Sequence, residues 1–293
     1  MCRMSSWILK FLSMIVTLIL LISIKGYAAE FLFSLSRAPD GTKIKNPGGI
    51  TFKGGKFYIV DTGNKRLISY SIKGKPLVAF NPKGLLKLPV DLSFQRGYLL
   101  WVVDERLGGL YLVDFENKEV RSYIIKYKGQ QIFPKVIQVF KDFIYVLDMQ
   151  TGEVFKMKLV KGALKILKVY KPSDPNFKGF IDFRIAQNGF WGLSRLNRKV
   201  YRYFKGKWTE YSLKGICMAP VSLAVKFKDV FVLDRYFGKV FVFRLPDFKK
   251  IDSFGNRGWS AGNFYTPIKI RCLYYNYIGI GDDGNGRIEI FKY

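Results

Sequence analysis

The sequence predicts an all-β fold, a six-bladed β-propeller with four strands in each blade. A strand ending in Asp, or in Ser in the fourth unit, followed six positions later by a branched apolar residue, marks a unit that recurs six times along the 293 residues. In five of the six units a proline precedes this end by 14 or 15 residues. Aromatic residues form 17% of the chain and lie in short apolar runs between Gly, Asn and Lys, which is typical of strands joined by tight turns.

Residues 1–28 have the layout of a secretory signal peptide. Arg3 and Lys10 form a basic start, residues 11–24 are an apolar run, and small residues precede a cleavage point near Ala29. As a helix the run is too short for a hydrocarbon core of about 30 Å, so a cleaved signal is favoured over an uncleaved membrane anchor, which stays the alternative. We therefore predict one propeller domain at 29–293, exported to the periplasm or secreted.

The six units are defined by the residue that ends the second strand, which we call the anchor. The anchors are Asp61, Asp104, Asp148, Ser194, Asp234 and Asp282, and the residues that mark the start of each unit are Pro47, Pro89, Pro134, Phe180, Pro220 and Pro267. Because proline has no N–H for a strand ladder, it belongs at the start of a strand. Each unit thus predicts a first strand after the marker, a second strand up to the anchor, and a third and fourth strand joined by a Lys/Gly hairpin.

Two segments resemble the NHL repeat. Residues 47–50 (PGGI) followed by residues 60–67 (VDTGNKRL) match its pattern, and the glycine-rich residues 254–264 are similar to the spacer that joins such repeats. The fourth unit, with Ser194 and Phe180 in place of Asp and Pro, is placed by spacing alone. The resemblance implies a six-bladed propeller over the whole of 29–293 and a ligand-binding scaffold, as in NHL-like sensor domains outside bacterial cells.

The ends of the chain predict how the ring closes. The sixth unit stops at Tyr293, after its third strand, and residues 31–36 align with residues 251–256, the outer strand of the fifth unit. An N-terminal strand is therefore expected to complete the last blade, which removes the free sheet edges that promote aggregation.

We interpret the recurring charged residues as structural turn residues. An Asp at a strand end can accept hydrogen bonds from the N–H groups of its own turn. The predicted set is Asp61, Asp104, Asp148, Asp234 and Asp282, with Arg66 and Arg287 five positions after the first and last of them. Residues 282–286 lack the ligand series and the distal Glu of a calcium loop, so we predict no metal site and no cofactor.

The chain contains no histidine. This excludes Ser-His-Asp triads, Cys-His pairs and imidazole-bound zinc or iron, together with the histidine-dependent metal chemistry of NHL-like lyases. Carboxylates such as Asp104, Glu105, Asp148 and Glu153 leave a histidine-independent hydrolase or lactonase-like enzyme as an alternative. Solvated turns explain these acids equally well, and we expect the chain not to be an enzyme.

Cys217 and Cys272 fall at opposite ends of neighbouring predicted blades. Five strand residues separate such ends by about 16 Å, beyond the reach of a disulfide. We expect both thiols to be free and mostly buried.

The net charge of +27 predicts attraction to anionic polymers or surfaces. The turns after the anchors carry little of this charge, whereas the hairpins between third and fourth strands are rich in lysine. These lysines are Lys73, Lys75, Lys158, Lys161, Lys165, Lys205, Lys207, Lys249 and Lys250. Lysine hairpins also keep exposed strands soluble, which is the alternative explanation.

The fourth and fifth units, with the linker before the sixth, combine arginine and aromatic residues on the face where propellers usually bind ligands. The candidate ligand-binding residues are Arg195, Asn197, Arg198, Arg235, Tyr236 and Trp259. This composition is typical of an interaction hot spot or an anion site. We predict a monomeric, non-catalytic module that recognises a protein, peptide or glycan outside the cytoplasm, with binding of an anionic polymer as the alternative.

Overall fold

The computed structural model describes residues 29–293, so the predicted signal peptide at 1–28 lies outside the described residues. Six four-stranded antiparallel sheets follow one another along the chain, and the first strand of each contacts the first strand of the next around a closed ring. The prediction of an all-β six-bladed propeller is confirmed.

Each blade begins with its inner strand, which lines the central channel, and ends with its outer strand. Blades 1 to 3 consist of Pro47–Lys53, Lys56–Asp61, Arg66–Ser71 and Pro76–Phe80; Pro89–Phe94, Leu99–Asp104, Gly109–Asp114 and Glu119–Tyr123; and Pro134–Phe140, Phe143–Asp148, Val154–Val160 and Ala163–Tyr170. Blades 4 and 5 consist of Asp182–Ala186, Gly189–Ser194, Lys199–Phe204 and Lys207–Ser212; and Pro220–Lys226, Asp229–Asp234, Lys239–Arg244 and Lys249–Phe254. Blade 6 contains Pro267–Cys272, Tyr277–Asp282, Arg287–Lys292 and the N-terminal strand Glu30–Leu35.

The ring closes by joining both ends of the described chain in one sheet. Glu30–Leu35 pairs antiparallel with Arg287–Lys292, and Leu35 lies opposite Ile288. The predicted N-terminal closing strand is therefore confirmed.

The marker prolines are the first residues of five inner strands, where each lies opposite an anchor. Pro47 faces Asp61 and Pro267 faces Asp282, and each pair is followed by a shift in register. Blade 4 lacks this pair, and its ladder begins at Asp182. Phe180 packs instead against Gly192, where a Cβ atom would come within 2.3 Å of the phenyl ring. A glycine is therefore needed there to admit the aromatic ring that replaces proline.

The sequence analysis missed one element, a short hairpin of Ile125–Tyr127 and Gln130–Ile132 between blades 2 and 3. Three short 3-10 helices lie at Thr62–Asn64, Pro82–Gly84 and Tyr274–Asn276. In residues 29–293 no helix has the length and apolar character needed to cross a membrane.

The core lies between neighbouring blades. Trp101 of blade 2 and Ile144 of blade 3 belong to one buried cluster, and Trp191 of blade 4 and Phe243 of blade 5 belong to another. Cys217 is part of the second cluster, where burial raises the pKa of its thiol to about 12. Both described cysteines are free. Because each blade packs on two neighbours, the ring holds the inner strands in fixed positions around the channel.

Candidate functional site

The two ends of the central channel open on different faces. The upper face carries the turns that follow the anchors and the loops that enter the inner strands, and the lower face carries the other hairpins. We call the two openings the upper mouth and the lower mouth.

Buried anchor carboxylates organise the upper face, as Asp234 of blade 5 illustrates. One carboxylate oxygen accepts hydrogen bonds from the backbone N–H groups of Met218 and Ala219 in the entering loop, at 2.8 and 2.9 Å. The other accepts from the N–H groups of Tyr236 and Phe237 in the turn, at 2.9 and 3.1 Å. One side chain thus ties the loop before a blade to the turn within it.

The two arginines assigned to turns behave differently. Arg66 lies 2.8 Å from its anchor Asp61, as the spacing suggested. Arg287 lies 2.7 Å from buried Glu289 instead of from its own anchor. Burial raises the pKa of Glu289, and the hydroxyl of Ser34 and the charge of Arg287 oppose the rise.

Blade 4 lacks the anchor carboxylate. Ser194 is fully buried at this position, and its hydroxyl has no hydrogen-bond partner within residues 29–293. The turn of blade 4 is therefore held without the bonds that Asp234 supplies in blade 5.

The upper mouth is a cavity of about 450 Å³ to which all six blades contribute. This volume lies in the range of small-ligand pockets. Its wall is formed by the residue that follows each marker, namely Gly48, Val90, Lys135, Ile181, Val221 and Ile268. The repeat therefore forms a ring of six residues, and four of the six have branched apolar side chains.

The rim of the upper mouth includes residues that directly follow the anchors: Thr62, Arg195, Arg235 and Asp283. Asp283 accepts a hydrogen bond of 3.0 Å from the amide of Asn46, and Lys135 is paired with Glu105. Arg195 and Arg235 are exposed, and neither guanidinium forms an ion pair in the part of the chain that the structure describes. Two unpaired positive charges from adjacent blades thus border the cavity.

The other predicted ligand residues do not line this cavity. Trp259 stacks on Tyr265, with 3.9 Å between ring centroids. Asn197 donates to the hydroxyl of Tyr201 at 3.3 Å, and Tyr236 packs edge to face on the neighbouring Phe237. Arg198 takes a left-handed backbone conformation with φ of 49°. Of the predicted set, the structure brings Arg195 and Arg235 together at the mouth.

Below the upper mouth, charged side chains from the inner strands fill the channel. Arg271 of blade 6 lies 3.0 Å from Asp91 and 3.2 Å from Asp182, and Lys269 lies 3.0 Å from Asp91. Arg184 contacts Asp182 at 3.2 Å. Burial acts to raise the pKa of Asp91, but the charges of Lys269 and Arg271 outweigh it and lower this pKa. At Asp182 burial is the larger effect and raises the pKa. This buried ion network separates the upper mouth from the lower mouth.

The carboxylates considered for catalysis are engaged in other bonds. Asp148 is buried and accepts from the N–H groups of Phe133 and Thr151 at 2.8 and 3.0 Å. Glu153 lies 2.9 Å from Lys171. Among residues 29–293, no group of three or more His, Cys, Asp and Glu side chains could hold a metal ion.

Sequence reasoning missed the wall of the upper mouth and the ion network. Aligning the six units would have shown that the residue after each marker occupies an equivalent position, and that these six residues form one ring around the channel. The network was signalled by charges within otherwise apolar first strands, such as Asp91, Asp182 and Arg271. Charges that recur every second residue on an inner strand point to one side of it, and in a propeller that side is the channel.

No protein-family model matches the chain, and no curated protein matches it. Among solved structures, virginiamycin B lyase from Staphylococcus aureus has a TM-score of 0.66 at 12% identity, covering 89% of this chain and 98% of that chain. A streptogramin B lyase has a TM-score of 0.67 at 11% identity, covering 92% and 99%. The WD40 propeller domain of Doa1 has a TM-score of 0.59 at 11% identity, covering 90% and 97%. These likenesses show the fold alone.

The neighbours contradict the expectation that the chain is not an enzyme. Two of these three structures are lyases, so a propeller of this shape does support catalysis. The expectation rested on the absence of histidine and on turn roles for the acids, and neither observation excludes catalysis on a scaffold that known lyases share. The resemblance to NHL repeats is supported at the coarser level of a six-bladed propeller.

Proposed function

We propose that this propeller is an exported protein whose upper mouth binds an acidic peptide segment. The observation that carries the proposal is the pair of exposed guanidiniums, Arg195 and Arg235, without ion-pair partners at the rim of the cavity. Guanidinium groups recognise carboxylates through paired hydrogen bonds. A carboxylate held between two adjacent blades would accept hydrogen bonds from both guanidiniums and compensate one of the two charges.

The wall of the mouth favours a peptide over a glycan. Val90, Ile181, Val221 and Ile268 offer branched apolar surface, and no aromatic side chain lines the cavity within the described residues. An aliphatic side chain next to a carboxylate fits such a wall, whereas a sugar ring would find no aromatic face to pack on. A closed funnel also suits a chain end or a loop better than a long polymer.

Export is the setting in which we place this binding. It is supported by the signal-like composition of residues 1–28, with its basic start and its apolar run at 11–24.

Fluorescence anisotropy with labelled peptides tests the proposal. A peptide with an aliphatic residue beside acidic residues should bind, and its amidated Asn/Gln counterpart should bind at least about 10-fold more weakly, since charge-assisted pairs are about twice as strong as neutral ones. Arg195→Gln and Arg235→Gln should each weaken the acidic peptide by about 10-fold. Arg96→Gln is the matched control, because Arg96 lies on the lower face with its side chain 81% exposed.

Equal binding of acidic and amidated peptides would overturn the proposal, as would unchanged affinity in both upper-mouth variants. Retention on heparin that falls steeply with salt and depends on the hairpin lysines, with no peptide binding, would favour the anionic-polymer alternative.

A further inference from the structure

The buried network in the channel contains more positive than negative charge. Its members are Asp91, Asp182, Arg184, Lys269 and Arg271, of which the two acids are at most 1% exposed and the two arginines at most 8% exposed. With both carboxylates ionised, one positive charge is left uncompensated. Lys269 lines the upper mouth with its side chain 12% exposed, whereas Arg184 and Arg271 are buried towards the other end of the channel. Because buried cations are stabilised by counter-charges, the excess favours an anion near the two arginines.

Arg184 has an unused hydrogen-bond donor. One terminal nitrogen donates to the carbonyl of Phe183 and the other lies 3.2 Å from Asp182. Its Nε–H is buried and has no partner within residues 29–293. A buried donor of a charged group is stabilised by an acceptor, so this nitrogen is a second group in the channel that can donate to an anion.

Arg184 and Arg271 also line the cavity of about 310 Å³ at the lower mouth. Thr51 and Ser93, which carry hydroxyl groups, line it from two other blades. Ser93 Oγ accepts from the N–H of Val139 at 2.9 Å, which leaves its own proton to donate. No acidic residue is part of the described lining, which also contains Lys53.

We propose that the lower mouth binds a tetrahedral oxyanion, a phosphate or sulfate group, between Arg184 and Arg271. The donors come from blades 1, 2, 4 and 6 and so surround the channel axis. A tetrahedral group presents acceptors in several directions, whereas a carboxylate presents them in one plane. The anion compensates the excess charge of the network and accepts from the free Nε–H of Arg184. This site lies at the opposite end of the channel from the peptide-binding mouth and does not depend on it.

Thermal unfolding in phosphate, sulfate and chloride at equal ionic strength tests this site. At about 100 times its Kd, phosphate or sulfate should raise Tm by about 5 °C relative to chloride. Arg184→Gln should abolish the rise, and Ser93→Ala should weaken anion binding several-fold. Arg195→Gln, which removes a charge from the upper mouth, should keep the full rise. A phosphomonoester in place of inorganic phosphate distinguishes the sources, since tighter binding of the ester identifies the phosphate group of a larger ligand.

An equal Tm in all three salts would overturn the proposal. A rise that persists in full in both Arg184→Gln and Ser93→Ala would overturn it as well, because the anion would then bind elsewhere. If Arg184→Gln does not fold, calorimetric titration of Ser93→Ala and Thr51→Val decides: several-fold weaker phosphate binding supports the site, and unchanged binding rejects it. Failure of the peptide experiment leaves these results unaffected, because they do not involve Arg195 or Arg235.

Discussion

The upper and lower mouths open at opposite ends of the same six inner strands, but their charged side chains come from different parts of the blades. Arg195 and Arg235 project from turns that follow the anchors, and their side chains are exposed and unpaired within the described chain. Arg184 and Arg271 belong to the strands themselves and are buried in the ion network. The difference teaches that side chains of the upper mouth can be exchanged without disturbing the fold, whereas those of the lower mouth contribute to stability as well as to binding.

The largest effect is expected from breaking the network at its centre. Arg271→Met removes the donors that bridge the buried carboxylates of Asp91 and Asp182, and we expect the free energy of unfolding to fall by about 3 kcal/mol or more, although the net charge of the network becomes balanced. Urea unfolding measures this change. Arg96→Gln, at an exposed ion pair on the lower face, should change it by about 0.5 kcal/mol or less. Equal midpoints for Arg271→Met and the unaltered protein would show that the network is not structural.

A second comparison concerns the anchors of blades 4 and 5, whose turns carry the two rim arginines. Asp234→Ala leaves four backbone N–H groups without their acceptor, so the free energy of unfolding should fall by about 3 kcal/mol. Ser194→Ala removes a buried hydroxyl without a partner in residues 29–293 and should change stability by less than about 1 kcal/mol. Denaturant titration of both variants checks this. A loss at Ser194 as large as that at Asp234 would contradict the difference between blades 4 and 5.

The sequence was sufficient to predict the six blades because the same residue types recur at the same structural positions in nearly every unit. A proline opposite an anchor acid starts five inner strands, and similar spacing placed blade 4 without either residue. The hairpin at 125–132 was missed because nothing in the repeat requires it. The upper mouth was predicted only in part: spacing brought Arg195 and Arg235 to equivalent positions, but it could not show that Trp259 would stack on Tyr265. The ion network needed coordinates, since charges on different blades meet only when the ring closes.

The smallest effect concerns stability at the upper mouth. Arg195→Gln and Arg235→Gln should each change the free energy of unfolding by about 0.5 kcal/mol or less, because both side chains are exposed and lack ion-pair partners within the described residues. Thermal unfolding followed by circular dichroism is the measurement. A Tm lowered by several degrees in either variant would mean that the upper rim supports the fold and is not free for a ligand.

Calorimetric titration of the acidic peptide into three forms of the protein tests the central claim most directly. The forms are the unaltered protein, the Arg195→Gln/Arg235→Gln double variant and Arg184→Gln. We expect the double variant to bind about 10- to 100-fold more weakly, because two arginines that share one carboxylate do not contribute additively, and Arg184→Gln to bind as the unaltered protein does. Equal losses in both variants, or no loss in the double variant, would contradict the account of two separate mouths.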